Sequence, residues 1–204
     1  MAVVVGITGG AATGKTTVMR MFAELGAETV SADEVAHEVL APATPAAEQV
    51  ARRFGPSVIA SNGSINRPAL GEIIFRDPEA REVLNAITHP PIIAILEQRI
   101  RKFRRRARQR EILAVEIPLL VECNLTRLVD KVVVVAAEQE TQMHRLTTRG
   151  LSFDQARQRV AAQMPIGEKL PLADWVVWTK RSLEDTRRQV AEIWEQVGQP
   201  GGRM

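Results

Sequence analysis

The chain has 204 residues, 45% of them apolar and 25% charged, with a net charge of +3. That is the make-up of a globular protein in water, with enough chain for one α/β core and an inserted subdomain. No apolar run approaches the ~20 residues of a membrane helix, which excludes a spanning chain, and the single cysteine, Cys123, excludes an intrachain disulfide.

From Val3 the sequence reads VVVGITGGAATGKTTVMR. Val3, Val4, Val5 and Ile7 predict a strand buried on both faces. Gly9 to Gly14 interrupts it, and a helical pattern resumes at Lys15 with Val18, Met19 and Phe22 on the buried side. Gly9, four residues and then Gly14-Lys15-Thr16 meet the phosphate-binding pattern G-x-x-x-x-G-K-[ST] in full. At ordinary residue frequencies such a match arises by chance roughly once in 30,000 starts. Glycines let the backbone turn so that the N–H groups of Gly9, Gly10, Ala11, Ala12, Thr13, Gly14, Lys15, Thr16 and Thr17 can face phosphate oxygens. The helix adds the positive end of its dipole. Lys15 can reach the β- and γ-phosphates, and the Thr16 hydroxyl can ligate Mg²⁺. The chain is expected to bind a nucleoside triphosphate.

Leu25-Gly26 stops the first helix, and Glu28 to Asp33 predicts a second short strand. Asp33 then lies at the carboxyl end of a parallel strand, where α/β sheets bind ligands. It can meet the γ-phosphate or its attacking nucleophile, or it can cap a helix over 34–39. Residues 41–107 break the strand-helix rhythm, with Pro42, Pro45, Pro56, Pro68, Pro78, Pro90 and Pro91 punctuating short helical patterns. This reads as a helical insertion for binding an acceptor. Arginines crowd 99–110, but Ile92, Ile93, Leu96, Ile100 and Phe103 recur at helical spacing, so the run reads as a solvated helix face that can attract a polyanion, not as a nucleic-acid surface.

Strands are expected at 112–117, 131–136 and 175–178, and a closing amphipathic helix at 183–197. A charged helical stretch, 141–164, turns at Arg149-Gly150-Leu151-Ser152 and reads as a lid. The expected fold is therefore α/β: a three-layer α/β/α fold with a five-stranded parallel sheet. It forms a single domain, with the core at 1–40 and 110–204. No segment with the basic-then-apolar order of a signal peptide precedes Val3, and with one cysteine a cytoplasmic location is expected.

Three kinds of phosphate-loop protein remain to be separated. A GTPase would carry Asn-Lys-x-Asp, which is absent from the sequence. A motor ATPase would end a strand in Asp or Asp-Glu, and the nearest feature is Glu116. A small-molecule kinase needs an acceptor subdomain and arginines that close over phosphates, and 41–107 and 141–164 offer both.

Further motifs then appear in order along the chain: Gly6 to Thr17, Ser31-Ala32-Asp33, Arg67 with Leu70 and Phe75, Leu84-Asn85 with His89-Pro90, Pro118-Leu119-Leu120 with Glu122, and Arg145, Arg149, Gln163 and Lys169. In this order and spacing the chain resembles the dephospho-CoA kinases over nearly its whole length. The resemblance implies transfer of the γ-phosphoryl of ATP, with Mg²⁺, to the ribose 3′-hydroxyl of dephospho-CoA. It implies that Asp33 orients and deprotonates that hydroxyl and approaches the metal with Thr16. Lys15, Arg145 and Arg149 would hold and neutralise the phosphates, and Arg67, His89, Pro118, Leu119, Leu120 and Glu122 would line the acceptor site. The alternatives are another kinase of the same fold with a different small acceptor, or a nucleotide switch. Two departures from the family pattern stand out. Ser31 replaces the first Asp of Asp-x-Asp, where a hydroxyl can still hold a metal-bound water. Trp178-Thr179 replaces an Asp-Asn pair, and an indole there can stack on a purine or fill the core.

Overall fold

The structure, a computed structural model, describes residues 2–198. Two compact units emerge, one built from the chain up to Ser31 and again from Ile100 onward, the other from Ala32–Arg99.

The first unit holds the sheet: β1 (Val3–Gly9), β2 (Glu28–Ser31), β3 (Ile112–Glu116), β4 (Lys131–Ala136) and β5 (Trp175–Trp178), in the order β2-β3-β1-β4-β5. Every pairing is parallel. The expected five-stranded parallel α/β sheet is what forms. Its strands alternate as a pleat requires. Val5, Ile7, Ile112, Ala114, Val133, Val135 and Val177 form one core with α1 (Lys15–Glu24) and α9 (Leu183–Gly198). Phe22 of α1 meets Trp194 of α9 with ring centroids 6.4 Å apart. On the other face, a Cβ at Gly6 would lie 3.0 Å from Leu120 and from Val129, so the loops after β3 press directly on β1.

The second unit contains α2 (Ala32–Val39), α3 (Pro45–Phe54), α4 (Arg67–Arg76) and most of α5 (Pro78–Arg106). Thr44 and Asn66 cap α3 and α4 by accepting from the N–H groups of Ala47 and Ala69. Val50, Val58, Ile65 and Leu70 form its core, flanked by Leu84 and Ile87.

Two local expectations are corrected. The second strand ends at Ser31, and Asp33 is the second residue of α2, not its cap. Its carboxylate in the first helical turn still complements the helix dipole. The chain also does not break at Pro90-Pro91, since α5 runs through both for 29 residues. Each proline costs a helix interior about 3 kcal/mol. Against this, Leu84 and Ile87 pack on one core and Leu96, Ile100 and Phe103 are buried, each large side chain contributing about 1.5–3 kcal/mol. Burial wins.

The arginine run at the end of α5 is exposed, as expected, and tied to acids: Arg99 pairs with Glu38, Arg104 with Asp130 at 2.7 Å, and Arg106 with Glu28.

Gly9 ends β1 at φ +147°, in register with Val135. A Cβ there would sit 2.1 Å from the Val135 carbonyl oxygen, a backbone atom that cannot step aside. Gly9→Ala is therefore expected to destabilise the protein by more than about 3 kcal/mol. Urea unfolding measures this, and a loss under 1 kcal/mol would mean the strand yields at this point.

Candidate active site

β1 occupies the middle of the sheet, with β3 and β2 on one side and β4 and β5 on the other. The direction of chain winding changes at its carboxyl end, where open α/β sheets bind ligands. Residues 10–14 leave β1 at this point and enter α1. Gly14 takes φ +97° and Ala12 φ +54°, the left-handed turns that fold successive peptides into a cradle.

Bonds to the loop's carbonyl oxygens fix the cradle from outside. Lys15 Nζ donates to the carbonyls of Gly9 (3.2 Å) and Gly10 (2.8 Å). The buried Thr13 hydroxyl donates to Gly10 (3.0 Å). Arg145 Nη1 donates to Ala12 (3.1 Å), and the Thr179 hydroxyl to Thr13 (2.6 Å). In a trans peptide the N–H points opposite the C=O. These bonds therefore turn the N–H groups of Gly10, Ala11, Thr13 and Gly14 the other way, as an anion site requires. Neighbouring side chains pack the loop closely. Ala11 joins Leu146 of α6 (Gln139–Thr148) and Ala156 of α7 (Phe153–Ala161), and a Cβ at Gly10 would lie 2.9 Å from Gln142 Oε1.

Beneath the loop, the Thr16 hydroxyl donates to Glu116 Oε1 at 3.1 Å. Glu116 ends β3, is only 3% exposed, and stands in register with Ile7 on one side and Ser31 on the other. Ser31 therefore lies beside a carboxylate on the adjacent strand. A hydroxyl and a carboxylate are hard oxygen donors suited to Mg²⁺, which keeps several of its waters and needs few protein ligands. Thr17 follows as the third residue of α1.

Arg145, on α6, also donates to the Thr179 hydroxyl at 2.9 Å and to the Thr179 carbonyl. Burial, and after it the positive charge of Arg149, hold its guanidinium below the ordinary range. Arg149 follows the last turn of α6 and is exposed. Trp178 is 41% exposed, so it does not fill the core, and its backbone N–H and carbonyl are both bound by the Gln189 side chain.

The loop after β3 is anchored through Pro118. Its carbonyl accepts from the Thr8 hydroxyl (3.1 Å) and from Lys169 Nζ (3.4 Å). Lys169, at the end of α8 (Ile166–Lys169), is fully buried and pairs with Glu122 Oε1 at 2.6 Å. Leu120 is buried, and Leu119 and Glu122 are half-buried.

The sheet unit thus brings together Lys15, Thr16, Arg145, Pro118 and Glu122 from distant stretches of sequence. Asp33, Arg67 and His89 lie in the other unit. Asp33 is exposed, and its backbone carbonyl lies 2.7 Å from His37 Nδ1. Arg67 Nη2 donates long bonds to the carbonyls of Ala36 and His37, 3.5 and 3.4 Å. His89 lies inside α5, and burial lowers the pKa of both its imidazole and the Arg67 guanidinium. Glu116 and Thr179 were not expected from sequence to touch the phosphate loop. Glu116 was visible as a carboxylate closing an apolar strand, but not which strand would be its neighbour.

The sequence profile of the dephospho-CoA kinase family matches residues 3–185. The dephospho-CoA kinase of Symbiobacterium thermophilum is 42% identical over 201 residues, covering 98% of this chain and 83% of the relative. That of Syntrophotalea carbinolica is 44% identical over 192 residues, covering 93% and 90%. Among solved structures, dephospho-CoA kinase from Campylobacter jejuni superposes with a TM-score of 0.71 at 28% identity, covering 97% of this chain and 98% of its own. A shikimate kinase from Acinetobacter baumannii, with a TM-score of 0.53 at 16% identity over 97% of this chain and 93% of its own, shares the fold alone. With the family profile spanning most of its length, and with relatives above 40% identity, the chain belongs to the dephospho-CoA kinase family.

Proposed function

We propose that the chain transfers the γ-phosphoryl group of ATP to the ribose 3′-hydroxyl of dephospho-CoA, with Mg²⁺, in the cytoplasm. Its family phosphorylates dephospho-CoA to coenzyme A, the last step of coenzyme A biosynthesis. The observation that carries the reading is the phosphate cradle closed by Lys15 and Arg145 above the Thr16–Glu116 pair. Phosphoryl transfer is chiefly positioning and charge stabilisation, and these residues supply both. No helix among the described residues is long and apolar enough to cross a membrane.

In this reading the loop N–H groups and Lys15 hold the β- and γ-phosphates, and Arg145 leaves carbonyl partners for the transferring group. Thr16 and Glu116 are the residues of the sheet unit that would hold Mg²⁺, which when bound would neutralise phosphate charge, and the family resemblance assigns Asp33 a share in that role. As the 3′-oxygen bonds to phosphorus and the bond to the ADP oxygen breaks, the hydroxyl proton passes to the Asp33 carboxylate. A carboxylate is a weak base, so the proton leaves late in a loose transition state. The Ala32–Arg99 unit receives the acceptor through Arg67 and His89, and the family resemblance assigns an acceptor role in the sheet unit to the loop from Pro118 to Glu122. Residues 141–164, with Arg149, act as the lid.

The test is ADP release from Mg-ATP with dephospho-CoA, adenosine or shikimate. Stimulation by dephospho-CoA alone, with coenzyme A formed in step, is expected. No stimulation by any acceptor would overturn the reading in favour of a nucleotide switch. Asp33→Asn keeps size and loses the negative charge. It is expected to lower kcat by about 10²–10⁴-fold with little change in the KM for ATP. Near-parent kcat would remove Asp33 as the base.

A further inference from the structure

Thr179 directly follows β5 and stands at a junction of three elements. Its N–H donates to the Ala136 carbonyl at the end of β4 (2.9 Å). Its hydroxyl has a single proton with two carbonyls in reach, Thr13 of the phosphate loop at 2.6 Å and Ala136 at 3.4 Å, and the shorter contact takes it. It therefore faces Arg145 as an acceptor, taking the Nη1–H at 2.9 Å. Arg145 in turn reaches Ala12, so Thr13, Thr179, Arg145 and Ala12 form a closed chain of bonds around the second half of the loop. Thr179 is 6% exposed and Thr13 fully buried, so water cannot replace these bonds without the packing opening.

We infer that Thr179 is a positioning residue for phosphoryl transfer, its hydroxyl orienting the Thr13–Gly14 peptide of the phosphate cradle and the Arg145 guanidinium together. The inference rests on the roles proposed above for the loop and for Arg145. Fixing the Thr13 carbonyl fixes the direction of the Gly14 N–H, which shares its peptide plane. Accepting from Nη1 sets the plane of the guanidinium, whose donors form a rigid fork. One hydroxyl thus couples nucleotide seating to the placement of the arginine. A threonine is suited to this because it donates and accepts at once through one short arm. Valine has its shape and neither function.

Steady-state kinetics of Thr179→Val, Thr179→Ser, Arg145→Ala and the double variant Thr179→Val/Arg145→Ala test this. Thr179→Val is expected to raise the KM for ATP and lower kcat by about tenfold each, leaving the KM for dephospho-CoA within about twofold. Thr179→Ser should restore both parameters to within about twofold of the parent. If Thr179 acts through Arg145, the double variant should match the kcat of Arg145→Ala within about twofold, because coupled residues are not additive. Should the valine variant fail to fold, Thr179→Ala carries the same expectations. Equal impairment of serine and valine variants, a parallel rise in both KM values, or fully multiplicative effects on kcat would overturn the inference. Parent-like Thr179→Val beside a crippled Arg145→Ala removes this inference alone. Parent-like Arg145→Ala removes the role proposed for Arg145 as well.

Discussion

Lys15→Ala is expected to lower kcat by at least about three orders of magnitude while changing the free energy of unfolding by less than about 1 kcal/mol. Lys15 is half-buried and opens α1, so no core contact is lost with its side chain. Its ammonium instead sits on the carbonyl oxygens of Gly9 and Gly10, where it orients two peptides of the cradle. When phosphates arrive, the same point charge can turn from those carbonyls to the β- and γ-oxygens. Removing it takes away charge where the transition state needs it and loosens the loop that supplies the N–H groups. Lys15→Arg is not expected to rescue, since a planar fork cannot replace a compact ammonium in so tight a cradle. The measurement pairs turnover with dephospho-CoA and urea unfolding of the same samples. Near-normal turnover in the alanine variant would refute the role of the loop.

The second large effect concerns stability. Lys169 is fully buried and pairs with Glu122 at 2.6 Å, and Glu122 Oε2 is buried without a hydrogen-bond partner among the described residues. The ammonium is thus the main compensation for that carboxylate. Lys169→Met fills similar space but leaves the carboxylate facing a thioether, which is expected to destabilise by about 3–5 kcal/mol. For a chain of this size that lowers the midpoint of thermal unfolding by roughly 10 °C. Lys169→Met/Glu122→Gln removes both charges and should recover more than half of the loss. Calorimetry on the two variants decides: a single variant as stable as the parent would show that the pair contributes nothing. Because the same lysine bonds the Pro118 carbonyl, the single variant should also raise the KM for dephospho-CoA more than that for ATP.

Much of this site was legible because its signals are local. The phosphate loop needs glycine, lysine and threonine at set spacing, for reasons contained within a few residues of backbone geometry and charge. The parallel strands announce themselves as unbroken β-branched runs, since both faces are buried. The turn at 149–152 and the Leu183–Gly198 helix are legible in the same local way.

The local rules failed where distant burial outweighed them. Pro90 and Pro91 read as a break, yet the apolar residues on either side gain more by continuing the helix than two prolines take away. Asp33 reads as the end of the second strand, able to meet a ligand or to cap a helix from 34, yet the strand ends at Ser31 and the helix begins at Ala32. Trp178 reads as able to stack on a purine or to fill the core, and the edge position of its strand leaves it exposed, which removes the second reading.

By itself the sequence determined the nucleotide loop, the parallel α/β class and the family, because each rests on residue types at fixed spacing along the chain. Only the tertiary structure decided that Glu116 meets Thr16, that Thr179 joins Arg145 to Thr13, and that Lys169 sits buried under Glu122. Those partners lie between 34 and 166 residues apart. They meet because strand order places β3 and β4 on either side of β1, and strand order is set by how the whole core packs, which no single stretch of sequence encodes.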